Sequence, residues 1–355
     1  MHSGAQLPGS YGWHRWALGL GVTAVALAIS AATSARAAPP PPPSPPQWRF
    51  VASPSPAYGV LTSVTAPAKN AAWAVGLAGK VTTKPFTGYF LTWNGRSWRQ
   101  HRVPVAGFQP MVVASSSPSD VWMFGSTSPT SADKDEALRW NGHHWLRVPM
   151  PFVGYLDSAV VLGPRDVWVY NYHWNGRTWT KYAVPRGFTW TETVGVRGRN
   201  NIWAIGMTGK RQHATAYRQV DGSWRQASLP RAAGFADFGV AESARNVYIS
   251  IATHSDGLSN VVLHWNGRRW RTLPAPPIPG LIGPVGAATG GGLWDSQADL
   301  WNGHKWQDVY GPGGVIPTSG NAIVAIPGTR SAWMVGNWCT GATCRRHVMI
   351  DGKLP

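Results

Sequence analysis

Six residues, Trp-Asn-Gly-x-x-Trp, recur along this chain with a regularity that few folds can accommodate. Full copies stand at Trp93–Trp98, Trp140–Trp145, Trp174–Trp179, Trp265–Trp270 and Trp301–Trp306. A variant, Val220-Asp221-Gly222-Ser223-Trp224, lies between the third and fourth of these, and Ile350-Asp351-Gly352 stands at the end of the sequence. Asn-Gly or Asp-Gly between apolar runs predicts a tight β-hairpin, because both central residues of a type I′ turn need a positive φ. The chain therefore reads as a string of similar hairpins.

A second marker precedes each hairpin. It is an apolar run centred on Trp73, Trp122, Trp168, Trp203, Tyr248, Trp294 and Trp333. From Trp73 to Trp333 is 260 residues in six intervals, about 43 each, which is the period of a four-stranded propeller blade. Each repeat reads as strand one, a turn with Asp, Asn or Ser, strand two with its aromatic, a variable loop, strand three ending in Trp-Asn-Gly, and strand four opening with Trp. Pro104, Pro149, Pro185, Pro230 and Pro274 close strand four, where a missing N–H donor is tolerated. Asp120, Asp166, Asn201 and Asn246 fall in the turn between strands one and two and read as acceptors for backbone N–H groups. Helical periodicity is absent.

The expected fold is an all-β, seven-bladed β-propeller of four-stranded antiparallel blades. The last repeat lacks its strand-four Trp. Trp48-Arg49-Phe50-Val51-Ala52-Ser53-Pro54, at the other end, matches the missing piece in pattern. Residues 48–54 are thus expected to complete the last blade, a closure that removes open sheet edges. Of 22 tryptophans, 18 occupy repeat positions and belong to the core between blades. Two lie near the N-terminus. Trp190 and Trp338 fall outside the pattern.

The N-terminal segment reads as a secretory signal over residues 1–37, with an apolar run from Trp16 to Ala32 and Ala35-Arg36-Ala37 as cleavage site. Residues 38–46 form a proline-rich linker. Residues 47–355 are the propeller. This predicts a secreted protein, at or outside the cell surface, monomeric and with no transmembrane segment once the signal is removed. Export favours a disulfide between Cys339 and Cys344. With 32 Lys and Arg against 15 Asp and Glu, the chain carries a formal charge of +17. Such a balance suits an acidic cell-wall polymer or other polyanion. No basic helix, basic block or zinc-finger spacing points to specific nucleic acid.

The layout resembles kelch-type and galactose-oxidase-like propellers, in which an apolar strand runs into glycine and a later turn precedes Trp and Leu-Pro, as in Trp265–Pro274. Single glycines, Gly76, Gly125, Gly206 and Gly336, stand where kelch repeats carry two. Gly176-Arg177-Thr178-Trp179 is also similar to the end of a sialidase-type Asp-box, with Trp174 in place of its Asp. The resemblance implies the architecture and carries over no catalytic residue.

The site is expected on the face where the variable connections open. Counted eleven residues back from the strand-two aromatic, three consecutive repeats carry Asp157, Glu192 and Asp237, with Tyr155, Trp190 and Phe235 two residues earlier. These six residues and Trp338 form the candidate ligand site. Three carboxylates could hold a cation or an acid/base pair, and carboxylates beside aromatic rings suit sugar hydroxyls and ring faces. Ion pairs with Arg186 or Arg231 are the structural alternative. No cofactor is required. On the opposite face, Arg96, His143, Arg177, Arg268 and His304 follow the Asn-Gly turns and predict a basic rim. The expected function is a binding module for an extracellular glycan, cell-wall polymer or protein. The alternatives are a glycan-active hydrolase or lyase and a protein-interaction scaffold without a small ligand.

Overall fold

The computed structural model describes residues 48–56, 58–79, 86–127, 135–151, 156–210, 213–230, 234–252, 260–275, 285–288, 290, 292–295, 299–309, 319–340 and 343–351. The expected signal, linker and Tyr155 lie outside the described residues, as do the side chains of Asp237, Trp338, Cys339 and Cys344.

The described strands assemble into seven four-stranded antiparallel sheets. Six follow the chain in order, over residues 59–102, 109–149, 160–181, 188–227, 235–272 and 285–308. We call these blades one to six and number the strands within each in chain order. Blade seven takes its first three strands from Ser319–Ala325, Ala332–Thr340 and Thr343–Asp351, and its fourth from Trp48–Val51. Strand one of every blade contacts strand one of the next, and blade seven contacts blade one. The molecule is a β-propeller, with the strand-one segments around its axis.

The closing strand is shorter than the 48–54 expected. It pairs from Trp48, opposite Asp351, to Val51, opposite Val348. Pro54 and Pro56 cannot donate to a ladder. The last tie is a side-chain bond, in which Val348 N donates to Ser53 Oγ at 3.4 Å.

The hairpins also depart from expectation. In the five full copies the Trp pairs are opposed, as in Trp93 with Trp98, so the loop has four residues rather than two. Only Gly takes a positive φ, from 89° to 99°. Asn caps the loop instead: Asn94 Oδ1 accepts from Arg96 N at 3.0 Å and Ser97 N at 2.9 Å, and Asn141, Asn175, Asn266 and Asn302 repeat the arrangement. An Asx turn of this kind needs no left-handed Asn. The variant copy is the two-residue turn, with Asp221 at φ 49° and Gly222 at 83°, between Val220 and Ser223.

Tryptophans join the blades. The strand-four Trp of one blade packs edge-on against the strand-two aromatic of the blade before it. Ring centroids lie 5.1 Å apart for Trp98 and Trp333, 6.5 Å for Trp179 and Trp122, 6.1 Å for Trp224 and Trp168, and 5.2 Å for Trp270 and Trp203. Trp145 with Trp73 and Trp306 with Tyr248 share clusters in the same way. Trp48 supplies the remaining joint, fully buried and 5.1 Å from Trp294.

The turn acids bond side chains where backbone N–H donors were expected. Asp120 Oδ1 accepts from Trp122 Nε1 at 3.2 Å and Arg139 Nε at 3.0 Å. Asp166 Oδ1 bonds Trp168 Nε1 and His173 Nε2, each at 3.0 Å. Arg139 and His173 in turn lie over the same indoles. The turn residue therefore fixes both the indole and the strand-three Arg or His above it.

Replacing Trp48 by Ala should remove one inter-blade joint and destabilise the ring by about 3–5 kcal/mol, the usual cost of emptying a large core aromatic site. Thermal unfolding measures this. An unchanged melting temperature would show that the ring does not depend on the N-terminal strand.

Candidate functional site

Strand one of each blade meets the axis with an irregularity that shapes a pocket. In blades one, two, four, five and seven, one residue bulges out of the ladder: Thr62, Met111, Thr191, Asp237 and Asn321. Glycine opposes the residue before the bulge in blades one, two, four and seven, as Gly76, Gly125, Gly206 and Gly336. A Cβ on Gly76 would stand 2.1 Å from Val60 O, and one on Gly125 would stand 2.0 Å from Gln109 O. The single glycines thus serve close backbone approach at the bulge.

This register corrects the sequence alignment of carboxylates. Eight residues separate the paired positions Thr65 and Trp73, or Val240 and Tyr248, but nine separate Val194 and Trp203. The turn between strands one and two is one residue longer in blade four. The bulged counterpart of Asp237 there is Thr191, and Glu192 stands one residue further along. Asp157, three residues before Val160 (the partner of Trp168), keeps the bulge register. Trp190 likewise shifts by one from Phe235. It takes the place held by Leu61 in blade one, which is why a residue outside the repeat pattern sits in the wall.

The bulges surround an axial pocket of about 530 Å³ to which all seven blades contribute. Asp157, Trp190 and Glu192 line it, as do Thr62, Thr191 and Asn321. Phe235 does not reach it. Trp190 is half-buried, edge-on to Trp224 at 5.0 Å and to Phe188 at 5.5 Å, and its Nε1 donates to Thr193 Oγ1 at 3.1 Å. The scaffold therefore holds the indole rigidly as a wall.

The donors of the polar wall are turned into the scaffold. Thr62 Oγ1 donates to Met111 O at 2.9 Å, Thr191 Oγ1 to Ile205 O at 3.1 Å, and Asn321 Nδ2 to Leu61 O at 2.7 Å. That leaves the threonine hydroxyl oxygens, Asn321 Oδ1 and the Asp157 carboxyl as acceptors at the wall, beside the second N–H of Asn321 and the proton that Glu192 holds below about pH 8.

Glu192 bridges three blades, hydrogen-bonded by the Ser158 side chain of blade three and the Gly239 backbone of blade five. Burial pushes its carboxyl up to about 8, and the Asp157 charge adds to the rise; the two hydrogen bonds oppose it. Asp157 is more accessible, and desolvation raises its pKa as well. No ion pair with Arg186 or any other cation accompanies either group among the described residues. Among those residues no three His, Cys, Asp or Glu side chains stand together as metal ligands.

Tyr170 was not visible as a site residue in the sequence. It sits in the shortest connection between strands two and three, where Val169 pairs with Tyr172, and adopts φ 50°. That turn brings its hydroxyl to Asp157 N, which donates to it at 3.1 Å. Burial, with the Asp157, Glu192 and Asp135 charges, pushes the phenol up to about 12. The only advance signal was the brevity of the loop.

The remaining expected residues lie elsewhere. Arg96, His143, Arg177, Arg268 and His304 are exposed at the third position of the capped hairpins, on the face opposite the pocket mouth. Among the described hairpins, blade four carries Ser223 instead, so the basic rim is interrupted there. Cys339, on the strand that also carries Trp338, is opposed to Cys344 on the next strand of blade seven.

No family model matches the sequence, and no curated protein does. The kelch and Asp-box resemblance therefore extends no further than architecture. Solved structures share the fold. Virginiamycin B lyase from Staphylococcus aureus is 12% identical over 86% of this chain and 98% of its own, with a TM-score of 0.60. YCF48 from Cyanidioschyzon merolae is 14% identical over 86% and 98%, with a TM-score of 0.54. Pyrococcus horikoshii acylaminoacyl peptidase is 9% identical, over 81% of this chain and 52% of its own, with a TM-score of 0.51. At such identities the likeness is one of fold alone.

The Glu192 shift has a stability consequence. Its folded pKa lies above the ordinary 4.5, so its contribution is full below pH 4.5 and is lost as pH rises toward about 8. Denaturant unfolding of Glu192→Gln between pH 4 and 9 should lack this decline and exceed the parent in stability above pH 8. Parallel curves for the two proteins would contradict a buried, proton-holding Glu192.

Proposed function

We propose that this protein is an extracellular binding module whose axial pocket takes a sugar unit rich in hydrogen-bond donors. The observation that carries the reading is the polarity of the wall. Thr62, Thr191 and Asn321 direct their donors into the backbone, while Asp157 and Glu192 lack a cationic partner among the described residues. Such a wall favours hydroxyl or amino groups over phosphate or carboxylate. The half-buried ring of Trp190 supplies an apolar surface for the C–H side of a pyranose. Export behind the N-terminal signal would place the pocket where extracellular glycans are encountered.

A hydrolase or lyase reading draws on the same two carboxyls, since a Glu that keeps its proton near neutral pH can act as a general acid. A scaffold reading has less support. Only four large apolar side chains are exposed among the described residues, Phe50, Tyr58, Leu146 and Val184, fewer than a broad apolar interface would need.

Glycan-array screening of the mature protein, with and without Ca²⁺, tests the proposal. The parent should retain neutral or amino-sugar ligands, Trp190→Ala should weaken them by about tenfold or more, and Asp157→Asn should weaken amino sugars most. Retention of acidic glycans alone, unaffected by these changes, would locate binding elsewhere. Release of a cleaved product by the parent but not by Glu192→Gln would establish the enzyme reading instead.

A further inference from the structure

The variant hairpin leaves a gap that no other described hairpin leaves. In the five full copies strand three ends in Trp, and this indole packs against the aromatic of the preceding blade. Trp93 lies 5.0 Å from Trp333, Trp265 lies 5.1 Å from Trp203, and Trp174 lies 6.1 Å from Trp122. The equivalent position in blade four is read from the ladder. There Trp224, the strand-four Trp, pairs with Gln219. Gln219 thus stands where an indole is expected, facing Trp168 of blade three. A pocket of about 530 Å³ opens at this junction, lined by Gln219, Trp168 and Ile202 among others. Tyr182 leans over Trp168 at 5.2 Å and covers most of it, so Trp168 and Ile202, each 5% exposed, form the floor of the pocket beneath a movable side chain.

The rim is polar and partly fixed. Arg199 holds Asp221 through two hydrogen bonds, of 3.0 and 2.7 Å, which join the two turns of blade four into one wall. Arg197 Nε donates to Leu162 O across the junction. Asp166 is engaged by Trp168 and His173. Arg165, exposed and also lining the pocket, belongs to none of the ion pairs among the described residues. Its side chain lies across Gly176, with Cγ 2.5 Å from where a Cβ would stand.

We propose that this gap is a second ligand site, for a planar aromatic ring of indole size that carries a carboxylate. The ring takes the place of the missing tryptophan above Trp168 and Ile202. The carboxylate meets the Arg165 guanidinium, a charge-assisted contact with the planar geometry that arginine offers. The site lies on the opposite face from the axial pocket and shares no lining residue with it.

N-acetyl-L-tryptophan is a suitable probe, followed by ligand-observed NMR titration of the whole protein. Saturable binding is expected in the parent and in Glu192→Gln alike. Gln219→Trp restores the repeat indole, so it should abolish binding and raise the melting temperature by about 2–5 °C. Arg165→Gln should weaken N-acetyl-L-tryptophan about tenfold while leaving N-acetyl-L-tryptophanamide, which lacks the carboxylate, unchanged. Absence of saturable binding in the parent would overturn the proposal. So would full affinity in a folded Gln219→Trp protein, or equal loss of both probes in Arg165→Gln.

Discussion

The contact on which the ring depends is an indole edge from one blade set against an aromatic ring of the blade before it. A single four-stranded sheet cannot bury either face alone, and the joint gives each blade a neighbour on both sides. An edge-to-face pair adds about 0.5–1.5 kcal/mol beyond the area it buries. Repeated around a circle, these joints make the blades interdependent, so the ring must close to be stable. Closure is what gives Trp48 its importance. A four-residue strand carries one large side chain into the last joint and pairs the two ends of the fold.

The same geometry produces the pocket. Strand-one segments converge on the axis, and in blades one, two, four and seven a glycine on strand two lets the backbone come close at a bulge. Thr62, Thr191 and Asn321 then use donors to tie one blade to another or to their own sheet. Stability and recognition are linked through this choice. Side chains whose donors hold the scaffold offer acceptors to whatever enters the axis. Thr62, whose hydroxyl donates to Met111 O of the next blade, is the clearest case.

Much of the architecture was readable because the repeat leaves its period in tryptophans and turn residues. The Trp-to-Trp spacing located five of the described strand-three to strand-four hairpins, and the Asp221-Gly222 turn before Trp224 located the sixth. It could not give the turn class, since four-residue Asx loops and two-residue type I′ turns share the Asn-Gly or Asp-Gly signal; the backbone at Asn94 and Asp221 differs while their sequences look alike. The site was half legible. Asp157, Trp190 and Glu192 do line one pocket. Their supposed common register does not hold, because one extra residue in the blade-four turn shifts Trp190 and Glu192 relative to Asp157. Tyr170 was hidden because its role comes from a tight turn, not from a motif. The substitution at Gln219 was visible as a variant copy, but the space it leaves appears only when the blades are packed.

The axial pocket offers mainly acceptors, the threonine hydroxyls, the Asn321 carbonyl and the Asp157 carboxyl, with the Glu192 proton as a donor below about pH 8. The most direct measurement is calorimetric titration of a bound sugar against its deoxyfluoro analogues. Fluorine keeps the size and weak acceptor character of a hydroxyl but removes its proton. The account predicts that fluorination at the pocket-facing positions weakens binding about tenfold or more at each. Affinity unchanged across the fluorinated series would contradict it.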